Sequence, residues 1–487
     1  MLPVDRSISV RAARVDASVA PGRFTLSIPR DERMQLALGW FGLCVVALCA
    51  SGVLAVLLVL SRTPGLAAMF PVANFFHTAL VAHVDLSVLV WFVAFAGGLW
   101  SLNSTPRLLG LGWAALAFTV VGASLIAFAP FAGGTPIMSN YVPVIESPWF
   151  IVGLAVFGAG AALLVARGLF ASPLVGIRLD GAGALRFGLN AAIVAAAVAL
   201  LALAWSWVAI PGGLDSNAYY ELLFWGAGHV VQFAWTLLML VGWLLLADGV
   251  GVRMPLSPRV VAILFGVALA CVFATPLIYY AYGIATVEHH RLQTWLMRFG
   301  GGLAIAPVAV AILWELARDL RTDASRAARR SPLFAALVMS IALFGAGGVV
   351  GYAIHGNNVR IPAHYHGAIV GVTIALMGVG YWLLPRLGFA AAPTRLATWQ
   401  PYLYGAGQLL HIVGLVWSGG YGVQRKVADG AAVSRSIEQT IGMGLMGIGG
   451  LIAIIGGMLF VVVVVVAVVR KRSAIARACL QPRSRRA

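Results

Sequence analysis

Nine histidines are scattered through a chain of 487 residues that is otherwise poor in side chains able to do chemistry. They are His77, His83, His229, His289, His290, His355, His364, His366 and His411. Imidazole is the commonest metal ligand and a frequent axial ligand of haem iron. A lone histidine in an apolar helix is more often a hydrogen-bonded core residue, so the case for ligation rests on the set. His289 and His290 would be about 100° apart if helical, which lets both face one metal at a loosened helix end. His364 and His366 would be about 200° apart, project from opposite faces, and suit two separate cofactors. His229 offers a third nitrogen to the adjacent pair, and three neutral imidazoles with an open position suit copper or zinc. Of the remaining histidines, His83, which the span topology places at their depth in the membrane, would oppose one ring of the His364 and His366 pair across a low-spin haem. Six rings would serve two haems and one metal ion.

The elements that carry these residues are set by composition. Hydrophobic residues make up 61% of the chain and charged residues only 10%, too little polar surface to cover a large soluble fold. Apolar runs of about 20 residues or more, the length that crosses a bilayer, fall near 35–60, 74–100, 107–129, 148–170, 184–210, 221–247, 258–282, 290–316, 332–354, 364–388, 397–419 and 439–469. The expected fold is therefore an all-α integral membrane bundle of twelve transmembrane helices. Residues 1–34 would form a cytoplasmic tail, 35–469 the twelve-helix domain, and 470–487 a basic cytoplasmic tail. The first 34 residues lack the short apolar core of a signal peptide, so the first span is expected to be retained. The 33 basic residues outnumber the 16 acidic ones, and most lie in the two tails and in the loops after even-numbered spans. That asymmetry predicts N-in, C-in topology and speaks against a nucleic-acid face. Four cysteines show no CxxC or CxxCH spacing, so neither a zinc knuckle nor covalently attached haem is expected.

Depth in the membrane follows from the topology. Spans 2, 6 and 10 run from the outside inward, with His83, His229, His364 and His366 in their first halves. Span 7 runs outward and delivers His289 and His290 at its outer end. Six imidazoles are thus expected beneath one leaflet, and nothing in the orientation argument used histidine.

The motifs HVDLSVLVW around His83, FWGAGHVVQF around His229, the His289–His290 pair and AHYHG opening span 10 resemble the catalytic subunit I of the haem-copper oxidase superfamily. That superfamily includes cytochrome c oxidases and the large subunit of nitric oxide reductases, and the resemblance covers essentially all twelve spans. It implies that His83 and His366 hold a low-spin haem, His364 a high-spin haem, and His229, His289 and His290 a copper ion. GGYGVQRKVAD after span 11 is similar to the family's paired basic residues, which implies Arg425 and Lys426 as partners of haem propionates. His77 is the rival to His83, but the motif matches around His83; for His355 and His411 a packing role is expected. The resemblance further implies a cytochrome c or copper-containing donor subunit on the outer face, surrounding membrane lipid, and a small gas as substrate. The expected location is a bacterial or archaeal-type cytoplasmic membrane, with the active site toward its outer side.

Which gas is reduced turns on a few side chains. Typical oxidases of the family take an electron and a proton from a tyrosine four residues after the first copper histidine, and here that position is Phe233. Tyr279, Tyr280 and Tyr282 precede His289, with Tyr282 nearest in sequence, and could bring a phenol from span 7; interfacial aromatic packing is the plain alternative for all three. Nitric oxide reductases usually carry a glutamate where Phe233 stands, and Gln232 is one residue out of register. A three-histidine copper with Glu288 or Glu221 as proton relay fits a divergent nitric oxide reductase, the favoured expectation; a terminal cytochrome c oxidase is the alternative. Glu288 reads equally well as an ordinary loop carboxylate. Apart from Glu315 at the inner membrane boundary, the inner halves of the spans hold no Lys, Glu or Asp to lead protons inward, which disfavours pumping. Arg298 reads as the one buried cation and is expected to pair with a haem propionate or an acidic neighbour. Twelve spans also describe secondary transporters, but those are expected to show related halves and broken helices at the midplane, whereas here the two halves show no match and the informative residues are imidazoles clustered near one face.

Overall fold

The computed structural model describes residues 23–61, 75–176, 179–319, 329–356, 358–424 and 436–480. They form long helices that we number in chain order: α1 Glu32–Ser61, α2 Phe75–Leu102, α3 Leu109–Ala132, α4 Pro148–Ala171, α5 Gly181–Ala209, α6 Ser216–Gly249, α7 Pro258–Ala281, α8 Val287–Arg318, α9 Pro332–Tyr352, α10 Arg360–Arg386, α11 Thr394–Gly420 and α12 Ile437–Leu480. Local sequence starts several of them. Ser147, Ser257 and Ser331 each precede a proline, and each hydroxyl accepts a backbone N–H of the first turn while the proline occupies a position that has no donor to lose. Asp180 and Asp215 cap α5 and α6 in the same way.

Among the described residues, 11 helices are long and apolar enough to cross a membrane. The expected span 397–419 is a helix too, α11, but composition does not qualify it. The physical reason is visible in its packing. Gln400 and Gln408 are buried and His411 is partly so, which lowers the hydropathy of a helix that packs against α9, α10 and α12. Sequential helices pack as antiparallel neighbours, α3 on α4, α5 on α6, α9 on α10 and α11 on α12. α10 and α6 are the most enclosed, which is where the histidine motifs sit.

Three features depart from a plain all-α bundle. Thr135–Ile137 (β1) and Val144–Glu146 (β2) form a two-stranded antiparallel hairpin in the loop between α3 and α4, with Thr135 opposite Glu146. Two π-helical segments interrupt α2 at Asp85–Val90 and α8 at Leu296–Gly300, one just after His83 and the other just after the His289–His290 pair; such local widenings are frequent at functional sites. Finally, the buried cation is not Arg298. Arg298 is exposed, its guanidinium lies 4.8 Å from the Tyr352 ring, and no acidic group pairs with it among the described residues. The arginine enclosed in the bundle is Arg167, only 2% exposed. It donates to the carbonyls of Leu108 and Thr105 and to Ser104 Oγ, in a turn where Leu108 takes the left-handed conformation. Carbonyl dipoles, not a carboxylate, satisfy it there.

Candidate functional site

Thr286 caps α8 by accepting the His289 N–H, which places His289 and His290 in the first turn, facing α6 and α7. His289 is buried and its ring meets Tyr279 of α7 edge-on, 4.6 Å between centroids. His290 stacks on Trp225 of α6 at 4.6 Å and 17°. Trp225 and His229 are four apart on α6 and so share a face; their rings are 4.7 Å apart. From α8, Thr294 Oγ1 reaches to 3.3 Å from His229 Nε2. Two imidazoles, His229 and His290, thus flank one indole, and His289 lies 6.3 Å from the His290 ring.

Each ring is oriented by a backbone carbonyl. His229 Nδ1 donates to Trp225 O at 2.8 Å, His289 Nδ1 to Tyr282 O at 3.3 Å, and His290 Nε2 to Ile284 O at 3.1 Å. A carbonyl only accepts, so the proton is on the nitrogen facing it and the other nitrogen carries a lone pair. That is how metal-binding imidazoles are usually held. Among the described residues no three of His, Cys, Asp or Glu stand, as placed, close enough together to hold a metal ion. The donor chemistry fits copper, with the rings turned by their carbonyls, but bringing the three lone pairs to one point takes a movement of the rings.

The second group lies on α10. His364 Nδ1 donates to Gly347 O of α9 at 2.7 Å, leaving Nε2 free. The approach depends on two glycines one turn apart: a Cβ at Gly347 would stand 2.8 Å from His364 O, and one at Gly351 would stand 2.7 Å from His364 Nδ1. His366 projects elsewhere, as the spacing predicts, and its ring lies 4.5 Å from that of His411 on α11. His83 on α2 donates from Nδ1 to Ser51 O at 2.9 Å and is within electrostatic reach of His366. His411 is itself held by Met446 O at 2.9 Å. His411 thus packs its ring against that of His366. The lone pairs left on His83, His364 and His366 are the chemistry that axial ligation would use, with the Gln408 amide beside His366.

Phe233 is buried four residues after His229, with its ring end against Gly300 in the π-helical segment of α8. Tyr282 ends α7 with its side chain 39% exposed and reaches His289 only through its carbonyl. The phenol brought to His289 is that of Tyr279. Glu288 is exposed in the first turn of α8, and Glu221 accepts hydrogen bonds from the backbone and side chain of Asn140. His77 packs against Phe76 and His355 is exposed. Arg425 and Lys426 lie outside the described residues.

Three groups escaped the sequence reading. Tyr141, between β1 and β2, lies 4.9 Å ring to ring from His229; burial pushes its phenol above the usual range, keeping it protonated. A loop residue carries no periodic signal that would have found it. Asp85 is 1% exposed with Oδ2 unpartnered, and a carboxylate in mid-span was a readable marker. Gln293 is fully buried one turn beyond His289.

Fold and rings together define a polytopic helical membrane protein with two clusters of oriented imidazoles. The chain matches the family described as Cytochrome C and Quinol oxidase polypeptide I over residues 35–459. It belongs to that family, whose members are membrane haem-copper oxidoreductases. It is 29% identical over 500 residues to an uncharacterized protein of Rickettsia prowazekii (strain Madrid E), covering 89% of this chain and 96% of the relative. An uncharacterized protein of Aquifex aeolicus (strain VF5) is 30% identical over 364 residues, 72% of this chain and 85% of the relative. Cytochrome c oxidase subunit 1 of Thermus thermophilus is 23% identical over 452 residues, 82% of this chain and 77% of the relative.

Proposed function

We propose that this chain is the catalytic subunit of a respiratory haem-copper reductase whose gas is nitric oxide. Electrons arrive from a cytochrome c-type donor on the outer face. His83 and His366 hold a low-spin haem, His364 a high-spin haem, and His229, His289 and His290 a copper ion; His364 and His366, two residues apart on α10, link the two haem positions. When bound, the high-spin haem and copper supply the redox chemistry at which the gas is reduced. The chain's own part is to fix which nitrogen of each ring faces the cofactor and to keep the pocket dry. Two nitric oxide molecules take two electrons and two protons to give nitrous oxide and water. Glu221, fastened by Asn140 at the start of α6, and Glu288 serve as proton relays from the outer side.

The observation that carries this choice is Phe233: the side chain four residues after His229 is buried and can supply neither an electron nor a proton. A two-electron reaction takes both electrons from the cofactors and its two protons through the Glu221 and Glu288 relays, so it needs no phenolic donor at this position. Oxygen reduction is the second reading, favoured by the contact of Tyr279 with His289, although the Tyr279 hydroxyl is engaged by Ser206 Oγ at 2.8 Å. Uptake of nitric oxide and of oxygen, measured with reduced cytochrome c as donor, decides between them. The expected result is nitric oxide consumption with one nitrous oxide formed for every two molecules taken up. Oxygen uptake that exceeds it and is lost in Tyr279→Phe assigns the second reading instead.

A further inference from the structure

Two buried glutamines in this bundle contrast sharply. Gln400 is fully buried and satisfied at both ends of its amide: Nε2 donates to Gly456 O at 3.1 Å, and Oε1 accepts from Tyr381 at 2.9 Å. That is a structural glutamine. Gln293 is also fully buried, yet neither Nε2 nor Oε1 has a hydrogen-bond partner among the described residues. A buried polar group left unmet costs about 1–3 kcal/mol, so an amide with both ends unmet marks a place where something else is meant to sit.

Its position says what. In the first turns of α8 the buried residues are His289 and Gln293, four apart and so on one face. Two contacts fix their level against α6. Thr294, the next residue, stands beside His229 Nε2, and further along α8 Gly300 underlies the Phe233 ring. Gln293 therefore lies on the stripe between His289 and Gly300, a stripe that borders α6 and α7, at the level of His229 to Phe233 on α6. On α6 the position four after His229 is the apolar Phe233 and the Gln232 amide is engaged by Gly228 O, so the unmet amide at this level is that of Gln293.

We propose that Gln293 touches the gas in this pocket, its Nε2–H₂ group donating a hydrogen bond to the oxygen of the diatomic. The inference rests on the haem-copper reading above. An amide neither titrates nor gives up an electron, so the role is to orient and polarise the ligand, as a preorganised donor does.

Carbon monoxide added to the dithionite-reduced protein is the probe, and its infrared stretching band is the readout. Gln293→Met keeps the volume and removes the donor; the band is expected to move to higher wavenumber while the low-spin haem spectrum stays unchanged. Gln293→Glu is the second variant if the methionine protein does not accumulate, and it is also expected to shift the band, because the donor has been altered. A wild-type band position in a folded variant that retains its haems overturns the proposal. Wild-type protein that shows haem bands but takes up no carbon monoxide also overturns it. Wild-type protein with no haem bands removes the reading beneath it, an outcome distinct from the other two.

Discussion

The ring of Tyr279 stands edge-on to that of His289, 4.6 Å between centroids and 89° between planes, while its hydroxyl lies 2.8 Å from Ser206 Oγ. Geometry thus brings a phenol to a histidine that the sequence paired with copper, but occupies the hydroxyl elsewhere. If the reaction needs no phenolic donor, Tyr279→Phe keeps nitric oxide turnover within about twofold and costs about 1 kcal/mol of stability from the lost hydrogen bond. An electrode assay and thermal unfolding check both parts. Loss of turnover with an unchanged haem spectrum would count against the use made of Phe233.

Gly347 and Gly351 form the surface on which His364 lies. Gly351→Val puts side-chain atoms where the His364 ring now is, and overpacking of this kind costs about 1–3 kcal/mol. The expected spectrum loses its high-spin component and keeps the low-spin one, because His83 and His366 are held by other neighbours. Equal loss of both components would show that the two positions are not separately supported.

Arg167 has a structural task. Replacing it with methionine keeps most of the stem and leaves Thr105 O and Ser104 Oγ without their donor, while Leu108 O keeps the Gly112 N–H. An unmet buried acceptor such as Ser104 Oγ costs about 1–3 kcal/mol, so Arg167→Met is expected to lower the unfolding midpoint with no change in the haem spectrum. An unchanged midpoint would mean that water replaces the guanidinium.

The alkaline limit of stability is set partly by a group outside the spans. Burial raises the Tyr141 pKa in the folded protein, so the neutral phenol is favoured there. A raised folded value means stability is fully present below the unfolded value, about 10 for tyrosine, and is lost as pH rises above it. Tyr141→Phe is therefore expected to lessen the fall in unfolding midpoint at alkaline pH. Parallel midpoint curves for the two proteins would contradict the burial of that phenol.

What could be read without coordinates follows from how lipid constrains a chain. A spanning segment must satisfy its own backbone, so it is long, helical and apolar, and the runs around α1 to α10 and α12 announce themselves. α11 announces itself least, because Gln400, Gln408 and His411 are polar for the sake of neighbours that no local window contains. The opposite projection of His364 and His366 was legible from helical geometry alone. Their supports, Gly347 for the first and His411 and Gln408 for the second, come from α9 and α11 and were not. Arg298 misled because an arginine in an apolar run looks buried wherever it points; Arg167 lies near a helix end, beside a turn whose carbonyls it can reach. Tyr141 arrives at His229 from a hairpin, a tertiary approach with no sequence signature.

The most direct test of the central claim, that the six histidines of α2, α6, α8 and α10 hold two haems and a copper ion, is the visible spectrum of the purified, dithionite-reduced protein with metal analysis of the same sample. The account predicts low-spin and high-spin haem bands together with copper, the low-spin bands lost in His366→Ala and retained, though shifted, in His411→Ala. Wild-type protein that is folded but shows neither haem bands nor copper contradicts it.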